Sequence, residues 1–428
     1  MLLLGACLSA TAQTAREEIR ENIFLAGSNY LDYDHQLATE PLTPAPKGYE
    51  PFYMSHYGRH GSRWLIGKRD YSRVADVLEK AEAHGKLTEK GCWTLEQLHR
   101  FMPTTLKRFG DLTTVGERQH HGIGRRLTEH FPEIFKHPNV LIDARSTVVP
   151  RCILSMTAEC EELMAANPTA RIHNDVSESL QYYLNQPWDG QVKAESKRVK
   201  GEQKRAYQER VTQTERLMKV LFNDPKWVSD SVNAVNLMHD LFEVAANMQS
   251  HDTDIDLLAL FTPDEMYRQW CVRNWSWYLE YGAAPQTGGI MPFSQRNLLR
   301  NIIETADTVI GSSAAKSIPQ ATLRFGHEVC VMPLACLLEL GSCGVSVENP
   351  DSLDRYWRNY DIFPMACNIQ MVFYRPKSGK QGDVLVKVLL NERETTLPVE
   401  TAEWPYYKWN DLRRYYLQKL RKFDEEKD

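Results

Sequence analysis

Tyr53-Met54-Ser55-His56-Tyr57-Gly58-Arg59-His60-Gly61-Ser62-Arg63 sets one imidazole between two guanidinium groups. Pro51 to His56 reads as a core β-strand, so the imidazole falls just beyond a strand. Neutral histidine is a good nucleophile toward phosphorus, and arginine pairs bidentately with phosphate oxygens. Two flanking cations draw an anion onto the imidazole and hold charge while a phosphoryl group transfers. Alone, the string would equally suit a basic surface turn, so its meaning depends on the rest of the chain.

Working outward, Asp143-Ala144-Arg145-Ser146-Thr147 follows the buried-strand run Val140-Leu141-Ile142, and a helix start follows at Pro150-Arg151-Cys152. An arginine at the carboxyl end of a strand, beside a helix N-terminus, suits phosphate binding. Further on, Leu323-Arg324-Phe325-Gly326-His327-Glu328 precedes the apolar run Val329 to Leu338. By itself a His-Glu pair is a core histidine beside a surface carboxylate. Between these lies Gly110-Asp111-Leu112-Thr113-Thr114-Val115-Gly116-Glu117-Arg118-Gln119, a helix start in which Thr114 and Glu117 have capping-box spacing. His120 and His121 follow, and adjacent helix residues point in different directions, which argues against a shared metal.

In this order the pieces resemble the histidine acid phosphatase family, which includes phytases and multiple inositol polyphosphate phosphatases. Arg59-His60-Gly61-Ser62-Arg63 matches the start of R-H-G-x-R-x-P, with Leu65 in place of the proline, and Leu112 to Gln119 matches L-T-x-x-G-x-x-Q. The resemblance implies His60 as nucleophile and Arg59, Arg63, Arg145 and His327 as phosphate ligands. Arg151 resembles a second family arginine, expected to be structural. Glu328 stands for the proton donor: it directly follows the histidine as in His-Asp phytases, yet it is glutamate as in the inositol polyphosphate phosphatases. An inositol alkoxide is a poor leaving group, so an acid must protonate it as the P–O bond breaks.

The resemblance runs from Gly48 to Arg375. It implies an α/β fold, a histidine-phosphatase-like mixed sheet flanked by helices, with an α-helical insertion domain and the active site between the two parts. The pattern of elements agrees: strands alternate with helices, then a helical block fills about Val176 to Ser317, and strand signals return at Leu323 to Phe325 and in a hairpin-like pair, Ile369 to Arg375 and Val384 to Leu390. The expected organisation is a signal peptide over 1–12, α/β parts over 13–175 and 318–428, and an α-helical part over 176–317. Some helices of the first part can join the helical one.

With 428 residues the chain is long enough for two or three domains, and 42% hydrophobic with 25% charged residues is ordinary for a globular protein. A net charge of −5 speaks against a nucleic-acid partner. No segment approaches the roughly 20 apolar residues of a membrane span. Leu2 to Leu8 with Ala10-Thr11-Ala12 resembles a clipped secretory signal, and Leu4-Gly5-Ala6-Cys7 a lipobox. Export, to the periplasm or outside the cell, is therefore expected, with anchoring through Cys7 as the lesser reading. The cysteines form no C-x-x-C, and disulfide connectivity cannot be read from their spacing.

Several other chemistries fail on spacing. Gly61 to Lys68 is one residue too long for a P-loop, and Arg69 replaces its Ser or Thr. His327-Glu328 lacks a second histidine at 331, and Asp252 to Asp256 lacks the glycine and glutamate of an EF-hand. No cysteine has an arginine six residues on, as a cysteine-based phosphatase requires.

The sequence thus predicts an exported phosphomonoesterase acting through a phosphohistidine on inositol polyphosphates such as phytate. It needs no metal or cofactor, and its partner is a small-molecule phosphate ester rather than a stable protein partner. A broad acid or sugar-phosphate phosphatase is the alternative. A mutase or a non-catalytic phosphate binder is disfavoured by length, the signal, Arg63 and the intact nucleophile and acid. Within the basic cluster Lys193 to Arg205, Lys197 and Arg198 are the candidates for remote substrate phosphates. The competing reading is a solvated helix face with Glu195 and Glu202 interspersed.

Overall fold

The computed structural model describes residues 13–37, 40–185, 190–312, 318–377 and 382–426. The expected signal segment with Cys7 and most of the turn Ser378 to Gly382 lie outside the described residues.

Eight strands form one sheet: β1 Tyr49–Arg59, β2 Leu141–Ser146, β3 Arg171–Asp175, β4 Ala321–Gly326, β5 Asn368–Pro376, β6 Leu385–Leu390, β7 Arg393–Glu394 and β8 Tyr407–Lys408. They lie in the order β3-β2-β4-β1-β5-β6-β7, with β8 also on β6. Strands β3, β2, β4 and β1 pair in parallel, and every pairing from β1–β5 outward is antiparallel. The chain thus adopts the expected mixed sheet flanked by helices. β4 is buried at all six positions, as a parallel strand covered on both faces must be.

Alternate residues of the central strands feed opposite cores. Tyr53, Tyr57, Met371 and Phe373 pack under helices Pro263–Tyr281, Glu328–Leu337 and Trp409–Glu425. Met54, Val372 and Tyr374 face helices Thr114–His130 and Pro150–Ala166. A third core joins helices Lys68–Ala83 and Glu89–Thr105 to Ala234–Asn247 and the N-terminal helix Ala15–Glu21. Three helices from before residue 175 therefore share a core with residues 217–270. Between β3 and β4 the described residues form helices and no strand.

Three differences from the sequence reading have physical reasons. β2 runs on to Ser146 because Asp143 and Arg145 alternate with buried Ala144, an alternation that hydrophobicity alone undercounts. β3 carries no apolar run, since it is an edge strand with mostly exposed residues. The N-terminal segment, to which the sequence reading gave no element of its own after Phe24, forms a 3-10 turn over Ile23–Tyr30, with Leu25 to Tyr30 buried by tertiary packing.

Candidate active site

The parallel strands deliver the sequence-predicted residues to one end of the sheet. Arg59 pairs in register with Gly326, and the backbone N–H of His60 donates to Gly326 O at 3.0 Å. That register sets His60 beside His327, with ring centroids 5.7 Å apart. Gly326 is required here, because a Cβ on it would lie 2.0 Å from the Tyr57 hydroxyl.

The loop after His60 rests on the start of helix Thr114–His130. A Cβ on Gly61 would meet Gly116 O at 2.3 Å, so glycine-to-glycine contact sets this approach. Gln119 accepts from Ser62 N–H at 2.8 Å and donates to Ser62 Oγ at 2.9 Å. The L-T-x-x-G-x-x-Q element therefore clamps the loop that follows His60, which is a structural role. Its cap is Thr113 rather than Thr114: Thr113 Oγ1 accepts from Gly116 N–H, while the Thr114 hydroxyl donates to Asp252. His120 and His121 diverge to separate partners, Glu159 and Glu162.

His60 Nδ1 lies 2.8 Å from Gly61 O. A carbonyl only accepts, so Nδ1 carries the hydrogen and Nε2 keeps its lone pair. Nε2 is buried without a hydrogen bond, 3.6 Å from Glu328 Oε2. Arg59 is fully buried, and its Nη1 donates to the carbonyls of Asn29, Phe363 and Pro364 at 2.7, 3.2 and 3.0 Å. Its Nε sits 3.1 Å from Glu328 Oε2 without an aligned hydrogen bond, and its Nη2 is unbonded. Arg63 ties Nη1 to Trp64 O at 2.9 Å and leaves Nε unbonded. Buried guanidinium donors that lack acceptors are costly unless an anion supplies them.

Electrostatics follow from this crowding. Burial lowers His60 well below the usual histidine range, and Arg151 and Arg59 add to that effect against the opposing pull of Glu328. Burial, with Arg151, Arg59 and Arg63, brings His327 down to about 4 although Glu328 opposes. Burial would raise Glu328, but Arg59, His60 and Arg63 together hold it well below the usual carboxylate range. Both imidazoles are thus neutral and the carboxylate is ionised.

Arg145, which the sequence reading makes a phosphate ligand, is already engaged at both Nη atoms, while its Nε is buried without a hydrogen bond. Its Nη1 donates to the Tyr183 hydroxyl at 2.8 Å, and its Nη2 is bound by Asp143. Asp143 and Arg145 stand two apart on β2 and so share a face, where they pair. Arg151, expected to be structural, is among the arginines whose charge bears on His60 and His327. It lies in the first turn of helix Pro150–Ala166, and its Nε is buried and unbonded. Thr147 Oγ1, 3.3 Å from His327 Nε2, and Cys152 Sγ, 3.8 Å from both ring nitrogens, fix the ring of His327.

Lys197 and Arg198 do not line the cleft that opens over the site. Lys197 is exposed, and Arg198 is paired with Glu195 at 2.6 Å. The cleft, about 340 Å³, runs from Glu328 and Arg63 past Tyr30 to Arg273, Glu243 and Lys204. Of the predicted basic cluster, Lys204 is among its lining residues. The outer wall was not foreseen, since its members come from distant segments without a shared motif.

His60, His327 and Glu328 hold ligand atoms within 4.8 Å of one another, a spacing that a metal ion could bridge. Arg59, Arg63 and Arg151 beside them make the site electropositive, which suits an anion better than a cation.

Comparison with known proteins agrees with this geometry. A family model, the histidine phosphatase superfamily (branch 2), matches residues 58–391, more than half of the chain. No curated protein matches the sequence. Among solved structures, the multiple inositol polyphosphate phosphatase of Bifidobacterium longum, in complex with inositol hexasulfate, is 18% identical with a TM-score of 0.70, covering 92% of this chain and 97% of its own. The phytase from D. castellii is 15% identical with a TM-score of 0.66, covering 97% and 90%. The Hafnia alvei phytase in complex with tartrate is 12% identical with a TM-score of 0.54, covering 87% and 98%. At these identities the likeness is one of fold.

Proposed function

Since the chain belongs to the histidine phosphatase superfamily, branch 2, and is a histidine acid phosphatase, we propose that it removes phosphate from inositol polyphosphates such as phytate through a phosphohistidine. The observation that carries the mechanism is the lone pair of His60 Nε2, buried and 3.6 Å from Glu328 amid guanidinium donors without acceptors. Arg59, Arg63, Arg151 and His327 take the phosphoryl oxygens, with Arg151 in the role expected of Arg145, which is held by Asp143 and Tyr183. Nε2 attacks phosphorus in line with the leaving oxygen. The N–P bond forms, the P–O bond breaks, and the Glu328 proton passes to the departing alkoxide. Water then attacks the phosphohistidine, Glu328 takes a proton from it, and His60 leaves as free imidazole.

Glu328 must be protonated for the first step, whereas the arginines favour its ionised form. A bound phosphate dianion answers those arginines and repels the carboxylate, so substrate binding itself loads the acid. The inositol polyphosphate assignment is supported by the cationic residues Lys204 and Arg273 along the cleft, which suit further phosphates on one ligand. It is also supported by the inositol hexasulfate complex of the Bifidobacterium longum enzyme. A broad acid or sugar-phosphate phosphatase would use the inner site alone. The reaction is placed outside the cytoplasm on the apolar run Leu2 to Leu8 and Ala10-Thr11-Ala12.

Phosphate release measured from phytate, a sugar phosphate and an aryl phosphate tests the assignment. Preference for phytate in kcat/KM is expected. Equal or better use of the monophosphates would return the protein to the broad-specificity reading. Isomerised ester without free phosphate would mean a mutase, and stoichiometric binding without release a carrier.

A further inference from the structure

In the outer half of the cleft, a guanidinium is held more firmly than its counter-ion. Arg273, on helix Pro263–Tyr281, is 6% exposed. Its Nη2 donates to Asn29 Oδ1 at 2.7 Å, and its Cζ lies 4.9 Å from the centroid of the Tyr30 ring. Both supports are tied to the inner site. The Asn29 carbonyl accepts from Arg59, and the Tyr30 ring also carries Arg63 at 5.7 Å. Arg273 therefore has a fixed position relative to the nucleophile.

Its counter-ion is less constrained. Glu243, on helix Ala234–Asn247, lies 2.8 Å from Arg273 Nη1, with a side chain 23% exposed. The contact lacks an aligned hydrogen bond. His239 Nε2, one turn earlier, is a further cation-capable neighbour at 3.7 Å, and burial keeps that imidazole below its usual range. Both Glu243 and Arg273 line the cleft that reaches Glu328. A carboxylate seated on a fixed cation competes with any substrate anion that needs the same donors, and such competition discriminates between ligands.

We propose that Glu243 is a specificity-determining residue that occupies Arg273 until a second anionic group of the substrate displaces it. The inference deepens the inositol polyphosphate reading and rests on it. A ligand with one phosphate fills the inner site and draws nothing from Arg273. A ligand with several replaces a poorly aligned carboxylate contact by a phosphate that can take the free donor direction of Nη1. Glu243 thus sets how strongly additional phosphates count.

The test is competition against nitrophenyl phosphate hydrolysis, with myo-inositol hexasulfate and inorganic phosphate as inhibitors, on the full chain. Glu243→Gln keeps the side-chain shape and removes the charge. The hexasulfate inhibition constant should fall roughly three- to tenfold, the scale of a partly exposed ion pair, and that for inorganic phosphate should move less than about twofold. No change for hexasulfate, or equal changes for both inhibitors, would overturn the proposal.

Arg273→Gln should weaken hexasulfate selectively, and adding Glu243→Gln to it should bring no further gain. A gain that persists in the double variant also overturns the proposal. Should Glu243→Gln fail to fold, Arg273→Gln decides alone: selective loss of hexasulfate supports the assignment, and its absence sinks it. Phosphate release from phytate by the unmodified protein separates the two claims. If phytate is spared while nitrophenyl phosphate is cleaved, the substrate assignment fails, and hexasulfate competition still reads Glu243.

Discussion

At the inner site, Arg59, His60 and Arg63 come from one contiguous stretch at the end of β1, and His327 and Glu328 from one strand-to-helix turn. At the outer end, Lys204, Glu243 and Arg273 come from separate helices, with Asn29 and Tyr30 from the N-terminal segment. The difference teaches where function can be concentrated. Chemistry at phosphorus needs fixed atoms within a few ångströms, which a β1–β4 register supplies and short motifs record. Recognition of the rest of a substrate needs only charge at the right distance, which many segments can supply without leaving a pattern.

If the inner end carries the chemistry, His60→Ala has the largest effect. Turnover should fall by more than about 10³-fold, since loss of a covalent nucleophile removes the whole pathway. Acid-labile phosphate should no longer be trapped on the protein after a quench. Trapping that survives in the variant would place the nucleophile elsewhere and break the comparison at its inner end.

Glu328→Gln comes next and separates acid from ligand. General acid assistance is typically worth on the order of 10²–10⁴-fold, and it matters most for a strongly basic leaving group. Single-turnover phosphorylation should therefore fall much further with phytate than with nitrophenyl phosphate. In the unmodified protein, phytate phosphorylation should decline as pH rises, because the arginines lower the carboxyl's proton affinity and alkali empties the acid. A uniform loss across both leaving groups would make Glu328 a positioning group.

Arg145 and Arg151 show what spacing alone conveys. Both flank the same strand-to-helix turn, and the sequence reveals their separation but not where each guanidinium points. One signal was available: Asp143 and Arg145 share a strand face, so their pairing was predictable. Nothing comparable marked Asn29, whose contact with Arg273 spans 244 positions. The mixed sheet was legible through the family resemblance, and the hairpin of β5 and β6 and the helical block through their hydrophobic patterns. β3 and the buried turn Ile23–Tyr30 were not, because tertiary packing rather than local pattern makes them. The functional contrast is direct: Arg151→Ala should lower phosphatase kcat/KM by about 10- to 100-fold, the value of charged hydrogen bonds to an anion. Arg145→Ala should change it only a few-fold and mainly lower the melting temperature. The reverse ranking would restore Arg145 as the phosphate ligand.

The smallest expected effect sharpens the outer end. Lys197 and Arg198 belong to a basic stretch of the sequence, yet Lys197 is exposed and Arg198 is already engaged by Glu195. Neither lines the cleft, whereas Lys204 of the same stretch does. Exposed charges act through water, where salt screens them within about 10 Å. Reversing both, Lys197→Glu with Arg198→Glu, should therefore shift KM for phytate by less than about twofold at moderate ionic strength, and any shift should fade as salt is added. Lys204→Gln should raise KM for phytate more than KM for nitrophenyl phosphate, and that difference should persist in salt, because the residue faces the cleft. Measuring both variants on both substrates at low and high salt decides between charge on the surface and charge in the site. A large, salt-resistant and phytate-selective effect of Lys197 and Arg198 would extend the outer site onto helix Gly190–Val199. No selective effect of Lys204 would confine recognition to Arg273 and the inner arginines.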